Sequence, residues 1–248
     1  MSDPWNLTPT EWSNVLDTGA DAAKVALPLK SGSYLPWNEV LLKEAEGLGS
    51  MLDLGCGRGE NAAMLALRGK ETTLFDWSEE NLEFSKRLFT ALGKQGTFVQ
   101  GDMTKPLSFA QEEFDVAFSC GVFEYFSDEQ IINILKEAFR VTKKKVIILV
   151  PNAYAILYRV GMWYLRMNKK WPWGGERPFR TLKPHFRAAG FKNYREFTVA
   201  AKHSLNFLTM PGGQSARKVI KTIFNLKDHS KPSLLRQGYL LIGVGEKS

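Results

Sequence analysis

Met51-Leu52-Asp53-Leu54-Gly55-Cys56-Gly57-Arg58-Gly59-Glu60-Asn61 decides how this chain is read. An apolar run of strand character ends in a glycine-rich turn, and a helical pattern opens immediately behind it. Glycine permits positive φ and lets a ligand approach the backbone, while a helix start presents N–H groups that no carbonyl has taken. The third glycine follows the second by two residues, giving GxGxG, whereas the dinucleotide fingerprint is GxGxxG. Asp53 stands inside the strand, where a carboxylate is costly to bury without a partner. Beside a bound nucleoside it would organise the turn and face a cationic moiety.

Working outward, short apolar runs alternate with amphipathic stretches from Ser50 to Asn152. The pattern predicts strands at Met51–Leu54, Thr72–Phe75, Thr97–Gln100, Phe114–Ser119 and Lys145–Val150, nearly continuous in apolarity as strands buried on both faces are. Helices are predicted at Glu60–Leu67, ending at Gly69, at Glu79–Leu92, ending at Gly93, and at Asp128–Val141 behind Ser127 as N-cap. Strand–helix–strand alternation with short connections implies right-handed crossovers, so the fold class is α/β, a doubly wound sheet with helices on both faces. After Pro151 the pattern loosens. Helices are predicted over Ala153–Met167, Arg180–Ala189 and near Ala216–Phe224, strands over Asn193–Ala200 and Gln237–Val244, and loops at 211–213 and Lys227–Pro232. The 248 residues suit one domain: cap helices in 1–49 (Trp37–Glu46 among them), a ligand-binding core in 50–152, and a substrate-side insertion with the last two strands in 153–248.

Two further acids fall at strand ends. Asp76 ends the second strand 21 residues after Gly55, close to the roughly 20-residue offset of a carboxylate that holds ribose hydroxyls. Trp77 beside it offers a ring to adenine. Asp102 follows the third strand in Val99-Gln100-Gly101-Asp102-Met103, placed to accept from an adenine amino group while Met103 adds apolar contact. Each acid alone also reads as a helix cap or a solvated turn residue. Three at successive strand ends mark the carboxyl edge, where open α/β sheets bind ligands.

In order, LDLGCGRGEN (52–61), LFDWSEENLEFSK (74–86), FVQGDM (98–103), FDVAFSCGVFEYF (114–126) and VIILVPN (146–152) resemble the motif set of class I S-adenosylmethionine-dependent methyltransferases, most of all the group that methylates small molecules and lipids. Phe186–Phe191 and Gly238–Val244 share the resemblance loosely. It implies a seven-stranded, mostly parallel sheet with its last strand antiparallel, a helical insertion after the fifth strand, and S-adenosylmethionine (SAM) as cofactor. Residue by residue, it implies that Asp53, Gly55, Gly57 and Gly59 shape the methionine pocket, Asp76 binds ribose, Asp102 binds the adenine amino group, and Cys120 and Gly121 line the reaction centre. Cys56 and Cys120 then read as small residues packed by the cofactor, not as nucleophiles, and no metal is implied. Related enzymes fold an N-terminal segment over the cofactor, which points to Tyr34 or Trp37; an aromatic anchor for the leading helix is the other reading of those rings.

Methyl transfer from a sulfonium is an in-line displacement for which the protein aligns the acceptor, excludes water and sometimes removes a proton. Many relatives place His where Tyr125 stands, so the resemblance does not carry a His base to this chain. Tyr125 reads as a group that orients the acceptor. Glu124 reads either as a base or as a capping, salt-bridging acid. His203, just past the sixth strand, is the remaining candidate on the substrate side; a surface or core histidine is the plainer reading of His203, His185 and His229 alike.

Charge divides the chain. Residues 151–248 hold 18 of the 33 Lys and Arg but only 4 of the 26 Asp and Glu. A basic half suits a small anionic or lipid-associated acceptor, an RNA, or simply a solubilising surface. The position after the fourth strand reads Ser119-Cys120-Gly121-Val122, without the Asn/Asp-Pro-Pro-aromatic motif of base-methylating relatives, and no RNA-binding module is present. A non-catalytic module of the same fold would have little need of Asp53, Asp76 and Asp102 together. The stretch 154–173 interleaves Tyr and Trp with Arg159, Arg166 and Lys170, which suits a peripheral membrane contact, a substrate lid or plain packing. No apolar run reaches the roughly 18 residues that span a bilayer, no signal peptide is read, and two cysteines suggest a reducing, cytoplasmic setting.

Overall fold

The computed structural model describes residues 8–223 and 237–247. Seven strands share one sheet: β1 (Ser50–Leu54), β2 (Glu71–Asp76), β3 (Thr97–Gln100), β4 (Phe114–Cys120), β5 (Thr142–Pro151), β6 (Asn193–Val199) and β7 (Leu240–Glu246), in the order β3-β2-β1-β4-β5-β7-β6. Neighbours from β3 to β5 run parallel, and β7 lies antiparallel between β5 and β6. This is the doubly wound sheet with an antiparallel last strand expected from the sequence.

Strand residues alternate between the two faces, as the period of two demands. Met51, Phe118 and Ile147 pack with Ala26, Leu41, Met64, Phe84 and Phe89 of the helices α2 (Ala22–Lys30), α3 (Pro36–Glu44), α4 (Glu60–Leu67) and α5 (Glu79–Leu92) on one side. Leu52, Leu54, Val146 and Ile148 pack with Ile131, Leu135 and Phe186 of α6 (Asp128–Val141) and α8 (Lys183–Ala188) on the other. Beyond them lie α1 (Pro9–Val15) at the N-terminal side, and α7 (Ile156–Met167) and α9 (Gly213–Ile223) in the region after β5.

The elements of the core coincide with the sequence pattern, and the differences have local causes. α7 opens at Ile156 and not Ala153 because Asn152 holds a turn: its Oδ1 accepts from Tyr154 N at 3.0 Å while its Nδ2 donates to Gly238 O at 2.7 Å. β5 begins at Thr142, directly behind α6, where the Thr142 hydroxyl donates back to Ala138 O at 2.6 Å and the residue pairs with Phe114. β7 starts at Leu240 and not Gln237; Gly238 is pressed against the Val199 backbone, with a Cβ there meeting Val199 N at 2.3 Å. Phe224, His229 and the loop expected at Lys227–Pro232 lie outside the described residues. Among the described residues no helix is long and apolar enough to cross a membrane.

Candidate active site

The strand order turns back between β1 and β4, which lie side by side, and the loops leaving their carboxyl ends build the candidate site. Gly55, Gly57 and Gly59 hold φ of 73°, 53° and 73°. Neighbours require it: a Cβ on Gly55 would stand 2.8 Å from Val122 Cγ2 in the β4 loop, and one on Gly59 2.6 Å from Ser85 Oγ on α5. The amides of Gly55 and Cys56 donate to Phe75 O at 2.8 and 3.1 Å, and that of Gly57 to Asp76 Oδ2 at 2.8 Å, which ties the turn to β2.

Asp53 is 2% exposed; the Ala62 amide in the first turn of α4 donates to it, while its Oδ2 has no hydrogen-bond partner. Burial, and then repulsion from Asp76, pushes its carboxyl well above the usual range. A nearby cation would relieve that state. Asp76, also buried, accepts from Gly57 N, from Ser78 N at 3.0 Å and from Asn81 Nδ2 at 3.2 Å; burial raises its pKa and these bonds offset the rise only in part. Its first duty is to fix the glycine turn. Trp77 projects beyond β2 with 44% of its surface exposed. Asp102 is exposed and closes its own turn, accepting from Thr104 N and Oγ1 at 2.8 and 2.7 Å. Met103 is buried, its Cε 3.0 Å from the position of a Cβ on Gly55. The orphaned Asp53 oxygen, the glycine cradle and the open Trp77 ring fit a cationic nucleoside.

Cys56 sits buried in the turn, its thiol pushed up by burial and then by Asp76 and Asp53. Burial, Glu124 and Asp53 do the same to Cys120 at the end of β4, so neither sulfur is poised as a thiolate nucleophile. Cys120 thus lies between the Asp53 side of the site and a second group of acids. Glu124, in the 3-10 turn Phe123–Tyr125, is 2% exposed: its Oε1 lies 3.7 Å from where a Cβ on Gly121 would be, and its Oε2 is buried without a partner. Glu176, from the loop after α7, joins it, and the Tyr158 hydroxyl of α7 donates to Glu176 Oε1. Burial and then Glu176 lift the Glu124 pKa, and burial carries Glu176 to about 7.

Tyr125 meets Trp12 of α1 edge-on at 4.7 Å; burial, then Glu124 and Glu176, raise its pKa, so the phenol keeps its proton. His203 is one ring removed, packed on Tyr239 at 5.0 Å and on Trp37 at 4.9 Å, while the Tyr239 hydroxyl feels Glu176, Glu124 and Cys120. Tyr34 lies under the Arg68 guanidinium at 5.6 Å, beside the end of α4 remote from the glycine turn. The residue that covers the turn is Leu16, whose Cδ1 is 3.1 Å from the position of a Cβ on Gly57. Leu16, Trp12, Tyr158, Glu176 and Tyr239 escaped the sequence reading. Glu176 did carry a signal, being one of only four acids in 151–248. Among the described residues no group of His, Cys, Asp and Glu is arranged to hold a metal ion.

Residues 51–145 match a family model described as a methyltransferase domain. The Bacillus subtilis (strain 168) protein named "Putative methyltransferase YqeM" is 34% identical over 117 residues, covering 47% of this chain and 46% of that protein. The chain therefore spans about half the length of the curated relative it matches. Among solved structures, a SAM-dependent methyltransferase of Thermotoga maritima, described as a "possible histamine N-methyltransferase", superposes with a TM-score of 0.60 at 21% identity, over 85% of this chain and 87% of that one. A SAM-dependent methyltransferase of Archaeoglobus fulgidus gives 0.55 at 18% identity, over 85% of this chain and 94% of that one. At these identities the two solved structures establish likeness of fold.

Proposed function

We propose that the chain, whose segment 51–145 matches a methyltransferase-domain model, is a class I SAM-dependent methyltransferase that transfers a methyl group from SAM to a small acceptor held beside Cys120 and Tyr125. The observation that carries this reading is the buried Asp53 carboxylate, left with one oxygen unpartnered beside three glycines of positive φ. When bound, SAM supplies an activated methyl group on a cationic sulfur. Asp53, Gly55, Gly57 and Gly59 would hold its methionine end, Asp76 the ribose, and Asp102, Met103 and Trp77 the adenine. Gly57, Ser78 and Asn81 donate to the Asp76 carboxylate, and the Trp77 amide bears on it as well. Asp76 therefore serves the ligand largely by keeping the turn in shape. Gly121 leaves room beside the reaction centre, and Tyr125, protonated throughout the physiological range, orients the acceptor as a donor and not as a base.

Calorimetric titration with SAM tests the reading. Asp76→Ala is expected to weaken SAM binding by about 10- to 100-fold, through loss of charge-assisted hydrogen bonds. An unchanged affinity would remove Asp76 from the site, and no binding of SAM to the unaltered protein at about millimolar concentration would overturn the proposal.

A lipid-associated acceptor is favoured by one observation in particular. Ile156, Val160, Trp163 and Met167 form a single stripe along α7, all of them exposed, and Ala153, Ile156, Arg159, Val160 and Trp163 line a groove of about 310 Å³ on that face. Arg159 beside the stripe and Lys169 and Lys170 at its end complement an anionic bilayer. The basic residues of 151–248 face outward here, whereas the charge buried beside Tyr125 is acidic.

A further inference from the structure

Glu124 and Glu176 converge from separate segments, which meet where the Arg177 amide, next to Glu176, donates to Glu124 O at 3.3 Å, and neither carboxylate is neutralised in the ordinary way. They are 2% and 4% exposed. Arg166, the cation whose field reaches Glu176, spends its guanidinium on backbone, donating to Glu176 O at 2.6 Å and to Gly174 O at 3.4 Å. Tyr158 donates to one Glu176 oxygen, and Glu124 Oε2 meets no hydrogen-bond partner at all. Around the pair stand rings: Tyr158 packs against Tyr239 at 5.2 Å, and Tyr125 and Tyr239 both lie within the field of the two acids. Two carboxylates this close and this dry cannot both ionise without a cation between them. Aromatic faces attract cations as well. An anionic group would meet repulsion here, and a neutral hydroxyl would leave the acidic charge uncompensated.

We propose that Glu124, Glu176 and the tyrosines around them form the acceptor subsite, and that it takes an organic ammonium group whose nitrogen is the methyl acceptor. The inference rests on the SAM-dependent reading above and names the acceptor's chemistry. An ammonium has no lone pair until it gives up a proton. A carboxylate of the pair takes that proton, the N–H electron pair stays on nitrogen as the lone pair, and the products are a free amine and a carboxylic acid, with no other reactant. Glu176, lifted by burial to about 7, is matched to this exchange near neutrality. The groups that face the pair are Tyr125, Tyr158, Tyr239, Cys120 and Arg166; burial first of all raises the phenols and the thiol, which therefore keep their protons, and leaves the carboxyls to exchange one. Protons compete with the ammonium for the pair, so its binding should weaken as pH falls below about 7.

The test uses the full chain saturated with S-adenosylhomocysteine, whose binding is measured first. Ethanolamine, putrescine and phenethylamine are then titrated calorimetrically at pH 8 and pH 6, with phenethyl alcohol and 3-phenylpropanoate as neutral and anionic matches. At least one amine is expected to bind, about 10-fold or more tightly than the neutral and anionic probes, and to lose affinity at pH 6. Glu124→Gln and Glu176→Gln are each expected to weaken that amine by about 10-fold or more while leaving S-adenosylhomocysteine binding in place. Preference for 3-phenylpropanoate, equal binding of all three charge types, or no amine binding at up to about 10 mM overturns the inference. So does full amine affinity in both Gln variants. The probe comparison on the unaltered protein decides the matter if a variant fails to fold. Failure of S-adenosylhomocysteine to bind would strike instead at the SAM-dependent reading.

Discussion

Glu44 illustrates how a single side chain stitches distant segments together. Buried at the end of α3, its Oε2 accepts from Arg195 of β6 at 2.6 Å and from Lys145 of β5 at 3.1 Å. Burial alone would raise its pKa, but the two cations outweigh burial and hold it below the usual glutamate value. A depressed carboxyl contributes stability above its unfolded pKa, and that contribution fades as pH falls through the folded value. Glu44→Gln is therefore expected to lower stability at pH 7 by about 1–3 kcal/mol. The gap in Tm between variant and parent should close in acid, below about pH 4. Thermal unfolding across pH checks this; a gap that persists unchanged at low pH would assign Glu44 a packing role only. Asp53 and Glu124 have the opposite sign, since their raised carboxyls oppose folding near neutrality and are relieved by acid.

Among the described residues, α7 leaves Ile156, Val160, Trp163 and Met167 exposed along one face. Trp163→Ser and Ile156→Ser together are expected to cut partition onto phosphatidylglycerol vesicles by about 30-fold or more, since together they remove about 2–4 kcal/mol of apolar contact with the bilayer. Co-sedimentation measures it, with phosphatidylcholine vesicles as the uncharged comparison; equal recovery of parent and variant would leave α7 a solvent-facing helix. Local signals made most elements legible in the sequence. α6 is bounded by a Ser127 cap whose partner Gln130 reciprocates, and α5 ends at Gly93 with φ 64°. Strand ends likewise placed Asp53, Asp76 and Met103 on one edge. What the sequence hid depends on contacts between remote segments. Trp12 of α1 meets Tyr125 behind β4, Glu176 of the loop after α7 meets Glu124, and Tyr34 ahead of α3 meets Arg68 at the end of α4, each pair far apart in sequence. No periodicity encodes such meetings.

For the molecule as a whole, the sheet supplies a rigid floor and the N-terminal segment a cover. Thr8 and Glu11 form a reciprocal cap on α1, Arg87 of α5 donates to Thr18 O at 2.9 Å, and Leu16 and Trp12 rest over the glycine turn and Tyr125. A ligand entering the cradle must displace that cover, or find it open. Leu16→Ala is expected to speed dissociation of S-adenosylhomocysteine by about 3- to 30-fold, an apolar contact of about 1–2 kcal/mol. Stopped-flow displacement measures the rate; an unchanged rate would make the cover passive. Of the chain's two sulfhydryls, Cys56 is buried in the glycine turn and Cys120 is half-buried at the end of β4, and burial first of all keeps both in the protonated form. Alkylation of Cys56 by iodoacetamide can therefore advance only during the moments when the cover lifts and water reaches it. The protein carries its own stopwatch: the pace at which Cys56 takes up label reports how often the cleft breathes, with no probe engineered in.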